Sequence, residues 1–154
     1  MKMEMDLDRA GLTEEIVSIL ENAQTMILAT CADNQVTARS MAVINDGLTI
    51  LFQTGGHSEK INQLTANRSV AFAVDNIQIE AVARIIDDPE KVRLFLEKYK
   101  VKYPHYYAAY SNMPGQVTVL CAPIRFAIYK FINGKPCTDI LDVDGNRAYR
   151  KVLT

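Results

Sequence analysis

A junction between an apolar run and a helical pattern gathers residues that suit a bound anion. In the stretch FQTGGHSEKINQLTANRSVAF, two glycines precede His57, Ser58 and Lys60, and a short helical pattern begins at Ser58. The N–H groups of a first helical turn, a serine hydroxyl and a lysine ammonium can converge on one phosphate, and glycines let the backbone approach it. Without a ligand, the same residues form a solvated helix end, in which Glu59 offsets the unfavourable position of Lys60 near the helix N-terminus. The loop alone leaves both interpretations open.

Arg39 is a second residue whose charge needs an explanation. In VTARSMAV, the alternation of a strand places Arg39 on one face with Thr37, Met41 and Val43. A guanidinium among apolar side chains either extends into solvent or has a partner, because an unpaired buried charge costs several kcal/mol. Arg39 is therefore either an edge-strand arginine or a residue that binds something.

The elements that must position these residues predict a mainly β fold of the α+β class. A helical pattern at about 12–23 begins with Thr13 as its expected N-cap, and Asp88-Pro89 begins a second long helix. Alternation predicts strands in TMILATC, VTARSMAV, LTILFQT, SVAFAV, IQIEAVARII, QVTVLCA and IRFAIYKF, and the Asn133-Gly134 turn leads into KPCTDILD. Six or seven strands with mostly short connections favour an antiparallel split barrel with an N-terminal helix and peripheral helices. We expect one domain over 1–154, with the barrel at about 24–133 and a C-terminal extension at 134–154.

Composition narrows the function classes. A chain of 154 residues can bury one core, and a net charge of −1 gives no general attraction to nucleic acid or to an anionic membrane. The sequence has no apolar run of about 20 residues and no signal-peptide pattern, so we expect a cytoplasmic protein without a membrane partner. The three cysteines Cys31, Cys121 and Cys137 are widely spaced, and the two histidines are isolated, which argues against a disulfide framework and a metal site.

The order of these motifs resembles the pyridoxamine 5′-phosphate oxidase-like superfamily of FMN-binding split barrels. The resemblance covers about residues 12–133 and rests on TARSMAVI, LFQT, SEK at the start of a short helix, NRSVAF and IQIEAVARI. It implies FMN as cofactor, a phosphate site, a strand segment along the isoalloxazine ring, and a homodimer with FMN at the interface. The implied residues are Arg39 and Lys60 for the phosphate, next to the Ser58 hydroxyl of the same loop, Ser40, Met41 and Ala42 for the ring, Gln53 and Thr54 at the strand end, and Gln78 across the dimer.

The sequence departs from the oxidase proper in three places. Glu59 replaces one cation of the Ser-Arg-Lys element, Ile44 stands where a lysine serves the phosphorylated substrate, and the C-terminal Arg-Leu-x-Asp-Arg element is missing. The resemblance therefore implies FMN binding without oxidation of pyridoxine 5′-phosphate.

An aromatic cluster near the second long helix is a candidate for the substrate side. His105 lies among Tyr103, Tyr106, Tyr107 and Tyr110, which could pack in the core at a helix end or stack on a planar ligand. No nucleophile–base motif is present, so catalysis would belong to the cofactor.

Two functions remain open at this point. The first is an FMN-dependent oxidoreductase that acts on a small organic or nicotinamide partner. The second is a module of the same fold that binds flavin or haem without turnover. The identity of a co-purifying small molecule would distinguish them.

Overall fold

Alternating apolar residues and short turns build a sheet of ten strands with four helices around it. The structure is a computed structural model that describes residues 2–153. The elements in chain order are β1 (Lys2–Asp6), α1 (Arg9–Asn22), β2 (Met26–Ala32), β3 (Gln35–Met41), β4 (Ile44–Asp46), β5 (Thr49–Gly55), α2 (Glu59–Ala66), β6 (Ser69–Val74), β7 (Ile77–Ile86), α3 (Pro89–Lys102), α4 (Pro104–Tyr110), β8 (Gln116–Ile132), β9 (Lys135–Asp142) and β10 (Arg147–Leu153).

The sheet is antiparallel throughout, as the sequence predicts for a split barrel. Its strand order is β1-β10-β9-β8-β7-β6-β2-β3, and β5 pairs with both β8 and β4. The 17-residue strand β8 organises the sheet. Its first half pairs with β5, its second half pairs with β9, and β7 runs along both halves. The mainly β class is thus confirmed.

The sheet has ten strands instead of the expected six or seven. QVTVLCA and IRFAIYKF, predicted as separate strands, are parts of the single strand β8, which lowers the count. Four further strands more than offset this: the segments at the two ends of the chain add β1, β9 and β10, and Ile44–Asp46 adds β4. Lys2–Asp6 alternates methionine with charged residues, and it becomes a strand because β10 supplies its hydrogen-bond partners. The residues of such a short polar segment do not indicate that a strand at the other end of the chain will pair with it.

The helix starts show one correction and two confirmations. Asp8, not Thr13, caps α1: its carboxylate accepts a hydrogen bond from the Gly11 N–H at 3.2 Å. Gly11 has low helix propensity, which hides the first turn from a pattern search. Asp88 caps α3 as predicted, and α2 begins directly after Ser58.

Two groups of buried side chains hold the molecule together. The larger fills the space between the sheet, α1 and α2, and its biggest members are Phe52, Phe72 and Phe126. The smaller packs α3 and α4 against β4 and β5, and it consists of Ile44, Leu51, Ile86, Phe95, Tyr99 and Tyr103. This second group places the tyrosine-rich helices beside the end of β5. The loop at residues 55–58, which sequence analysis predicts to suit an anion and which is called the anion loop below, begins there. Within residues 2–153, none of the helices combines the length and apolar character needed to span a bilayer.

Candidate functional site

A cavity of about 450 Å³ lies between the strand end of β5, the segment after Arg39, and the helices α3 and α4. Its volume is in the range of small-molecule sites. The lining residues are Ser40, Met41, Ala42, Gln53, Thr54 and Lys60, which the resemblance implies, together with Thr25, Gly55, Tyr99, Tyr106, Tyr110 and Gln116. Six of the nine predicted site residues are therefore brought to one cavity.

Two half-buried cations interact next to this cavity: Lys60 lines it, and Arg39, which does not line it, acts on Lys60 through its charge. Lys60 Nζ donates a hydrogen bond to Thr54 Oγ1 at 2.9 Å. Burial and then the charge of Arg39 lower the pKa of Lys60. Burial also lowers the pKa of Arg39, against the opposing charge of Glu59. Among residues 2–153, neither cation forms an ion pair with a carboxylate. Their mutual repulsion makes this a place where an anion would be stabilised.

Arg39 is held by a partly buried hydroxyl network that the sequence did not reveal. Its Nη1 donates to Thr30 Oγ1 at 2.9 Å, and its Nη2 donates to Thr37 Oγ1 at 2.5 Å. Both hydroxyls in turn donate to Gln63 Oε1, at 2.5 and 2.6 Å. Gln63 is 4% exposed and belongs to α2. This network fixes the guanidinium of Arg39 through hydroxyl groups and not through carboxylates. Its hydrogen bonds therefore leave the positive charge of Arg39 able to attract an anion.

Two buried oxygens at the site have no hydrogen-bond partner among the described residues. Ser58 precedes α2 in the N-cap position, but its hydroxyl caps no backbone N–H, and Ser58 Oγ is unpaired. Gln53 donates through Nε2 to Thr118 Oγ1 at 3.1 Å, which leaves its buried Oε1 without a donor. Because an unsatisfied buried polar atom is costly, these two oxygens fit a ligand that carries both an anionic group and N–H donors.

The two glycines of the loop have different roles. The Gly56 N–H donates to Gly115 O at 2.8 Å, and a Cβ at Gly56 would lie 3.2 Å from that same oxygen. A Cβ at Gly55 would meet nothing within 4 Å. Gly56 is therefore needed for a close backbone contact with the loop before β8, whereas Gly55 leaves space at the cavity.

Tyrosines from α3 and α4 form the opposite side of the cavity. Tyr106 and Tyr110 line it, and so does Tyr99 of α3, which the sequence did not single out. Tyr103 and Tyr107 instead pack against Tyr99, with ring centroids 5.7 and 6.4 Å away. Core packing therefore applies to Tyr103 and Tyr107, whereas stacking of Tyr106 and Tyr110 on a ligand stays a prediction.

Other predicted residues lie away from the cavity in this chain. Gln78 is exposed on β7, in a shallow groove with Glu80, Arg125 and Tyr129 on the outer face of the sheet. His57 and His105 are exposed, and neither lines the cavity. Ile44 is 2% exposed and belongs to the smaller core.

Comparison with known proteins identifies the family. The sequence model of the pyridoxamine 5′-phosphate oxidase family matches residues 12–127. A comparison with curated protein sequences gave no match.

Several solved structures have the same fold. A candidate pyridoxamine 5′-phosphate oxidase from Listeria innocua is 21% identical, with a TM-score of 0.63, and covers 76% of this chain and 97% of its own. PhzG from Burkholderia lata, solved with tetrahydrophenazine-1-carboxylic acid, is 17% identical, with a TM-score of 0.62 over 95% of this chain and 89% of its own. The heme storage protein HutZ from Vibrio cholerae is 14% identical, with a TM-score of 0.62 over 71% and 88%. By the extent of the family match and by its fold, this chain belongs to the pyridoxamine 5′-phosphate oxidase family.

Proposed function

We propose that this protein binds FMN and acts as an oxidoreductase on a small organic or nicotinamide partner. The observation that carries the proposal is the pair Arg39 and Lys60, two half-buried cations that repel each other and have no carboxylate partner within residues 2–153. A phosphate between them would replace repulsion with charge-assisted hydrogen bonds.

The residues around the cavity fit FMN in three ways. The phosphate would be bound by Arg39, Lys60 and the unpaired Ser58 hydroxyl, with the first N–H groups of α2 behind it. The flavin ring would lie along Ser40–Ala42, and Gln53 Oε1 would accept a hydrogen bond from a ring N–H. When bound, FMN would supply hydride-transfer chemistry, and this chain would position it.

The outer face of the sheet supports a homodimer as the second part of the proposal. Strand pairing aligns Ile27, Ala73 and Gln78 in one exposed row across three strands, and the row continues to Ala127 and Ile140, which are buried. Alanines make this face flat, and a two-fold interface would carry the central Gln78 toward the other subunit's site. Light scattering of the FMN-loaded protein at micromolar concentration should give the mass of a dimer. A monomer mass with FMN still bound would exclude the shared site.

The residue at position 44 argues against pyridoxine 5′-phosphate as substrate. The side chain of Ile44 is apolar and packed in the smaller core, so this position offers no cation for a second phosphate. A dianion taken out of water without a counter-charge would bind poorly. Flavin-loaded protein supplied with pyridoxine 5′-phosphate and oxygen should therefore form pyridoxal 5′-phosphate far more slowly than about 1 per second, an ordinary enzymatic rate.

A haem-binding module is the second candidate function, because the heme storage protein HutZ has this fold. That likeness concerns the fold alone, and the two histidines lie outside the cavity.

Absorption spectroscopy of the purified protein tests both candidates. A flavin spectrum, bleached by NADPH with repeated turnover, supports the oxidoreductase. A Soret band without flavin supports the haem module and overturns the proposal. A flavin that no electron donor reduces would leave a binding module instead of an enzyme.

A further inference from the structure

Three tyrosine rings give the helix side of the cavity a chemistry different from that of the strand side. Tyr106 and Tyr110 are four residues apart on α4, so they lie on the same face of this helix, and Tyr99 of α3 completes the wall. Tyr106 and Tyr110 are each 47% exposed, which leaves their rings accessible to a ligand.

Contacts beneath the wall hold it in place. The Tyr106 ring stacks on the Tyr103 ring, with centroids 5.8 Å apart and planes 25° from parallel. Tyr103 is 7% exposed, its hydroxyl donates to Gln24 O at 2.8 Å, and it accepts from the Val43 N–H at 3.3 Å. Because the supporting ring is already fixed, a ligand that stacks on the wall orders few new side-chain rotamers.

The wall offers ring faces and hydroxyl donors but no full charge. Among the cavity-lining side chains of residues 2–153, Lys60 alone carries a charge, and it lies beside Thr54 on the strand side. Burial, followed by the nearby phenols of Tyr110 and Tyr106, raises the pKa of Tyr99. The Tyr99 hydroxyl therefore stays protonated at neutral pH and can donate a hydrogen bond.

We infer that the tyrosine wall binds the organic substrate, and that this substrate is a planar conjugated ring with acceptor oxygens and no phosphate, such as a quinone. Stacked aromatic rings favour a flat ligand. Phenol donors favour ligand oxygens, whereas a second phosphate would find no cation there. The inference rests on the proposed function, because FMN is assigned to the strand side of the same cavity.

Two ligands that share their carbonyl groups provide the sharpest test. Duroquinone is flat and conjugated, and its four methyl groups block addition of thiols to the ring. Cyclohexane-1,4-dione carries two carbonyls in the same 1,4 relationship on a puckered, saturated ring. Calorimetric titration of the FMN-loaded protein should detect duroquinone binding that is at least about tenfold tighter than binding of the dione or of pyridoxine 5′-phosphate, since only duroquinone can both stack and stay uncharged.

Variants of the wall separate stacking from hydrogen bonding. The double variant Tyr106→Ala/Tyr110→Ala should weaken duroquinone binding roughly 5- to 100-fold, because two ring contacts are lost. Tyr106→Phe/Tyr110→Phe keeps the rings and loses the hydroxyls, so its loss should be smaller. His105→Ala is the matched control, since His105 is exposed on the same helix but does not line the cavity.

FMN titrations of the same samples distinguish a failure of the proposed FMN site from a failure of the proposed substrate wall. We expect all variants to keep FMN affinity within about twofold of the parent protein, because the wall lies opposite the phosphate site. Absence of FMN binding in the parent protein would overturn both the proposed function and this inference. If the parent protein binds FMN normally, three results would overturn the inference while leaving the proposed function intact. Duroquinone fails to bind, the dione binds equally well, or the alanine variant loses affinity for FMN instead of for duroquinone.

Discussion

Among residues 2–153, two pairs of half-buried cations have opposite surroundings. Lys130 and Arg150 share the carboxylate of Asp139, with closest contacts of 2.9 and 2.6 Å, and Lys130 also pairs with Glu15 of α1 at 2.6 Å. Arg39 and Lys60 bind hydroxyl groups instead. Although burial opposes it, hydrogen bonds to Glu15 and Asp139 raise the pKa of Lys130, whereas burial and the charge of Arg39 lower the pKa of Lys60.

The difference separates a structural charge cluster from a binding site. The Asp139 cluster joins α1 to β8, β9 and β10, and its charges are neutralised within the chain. The Arg39–Lys60 pair has no ion-pair partner among residues 2–153, and only the charge of the exposed Glu59 offsets part of its own; this destabilises the free protein slightly and is relieved when an anion binds. Removing a member of the first pair should therefore change stability, and removing a member of the second should change affinity.

Asp139→Asn should give the largest effect. Asp139 is 2% exposed, and its loss leaves Lys130 and Arg150 without their shared partner. We expect the free energy of unfolding to fall by about 3 kcal/mol, measured by urea denaturation. Glu4→Gln is the control: Glu4 pairs with Arg147 at 3.3 Å on the surface, and its loss should cost less than about 1 kcal/mol. Equal effects of the two substitutions would contradict the assignment.

The pH dependence of stability provides a second measurement on the same variant. Although burial opposes it, hydrogen bonds from Arg150 and Lys130 lower the pKa of Asp139. The stabilisation is therefore complete above the unfolded pKa of about 4 and is lost as the pH falls through the lower folded value. Unfolding titrations between neutral and acid pH should show parent and Asp139→Asn proteins converging at the acid end. A constant gap would show that the carboxylate charge is not responsible.

Lys60→Ala and Arg39→Ala should each reduce FMN affinity while the fold persists. Losing one charge-assisted hydrogen bond to phosphate costs about 1.5 to 3 kcal/mol, or roughly 10- to 150-fold in Kd. Riboflavin lacks the phosphate and should bind both variants as it binds the parent protein. Flavin fluorescence titrations provide both affinities. Unchanged FMN binding in the two variants would remove the basis for the phosphate site.

Gln63→Leu should have a smaller effect on the same affinity. Without Gln63 Oε1, the Thr30 and Thr37 hydroxyls lose the acceptor that orients them toward Arg39. We expect FMN to bind about 5-fold more weakly, the value of roughly one hydrogen bond, with riboflavin unaffected. A thermal melt of the same variant checks the fold. Equal losses for FMN and riboflavin would indicate a general packing defect, not a role in positioning Arg39.

Glu59→Gln should produce the smallest change, and in the opposite direction. Glu59 is exposed, and its charge opposes an anion beside Arg39. Neutralising it should tighten FMN binding by about 2- to 3-fold at low salt, and the gain should fade at high salt. Weaker binding of FMN by Glu59→Gln would mean that this carboxylate supports the site.

Local patterns predicted the parts of the structure that depend on neighbouring residues. Alternation located the strands, Asp88 and Pro89 marked the start of α3, and the loop before α2 drew attention to Ser58 and Lys60. The Glu15–Lys130 pair and the contacts of Gln63 escaped because the partners are remote in sequence: Glu15 is 115 residues from Lys130, and Thr30 is 33 residues from Gln63. A sequence shows the charge of such residues but not which strand will lie opposite them.

The late position of β8 in the chain also determines when the site can form during synthesis. Gly56 bonds to Gly115, and Gln53 bonds to Thr118 of β8, 65 residues later in the chain. Closing such long loops is entropically slow, so the anion loop reaches its final shape only after β8 has docked between β5 and β7. In pulse-labelling hydrogen exchange during refolding, the amides of β2 and β3 should become protected before the Gly56 amide. A chain released before β8 would carry Arg39 and Lys60 yet lack the strand against which their site closes.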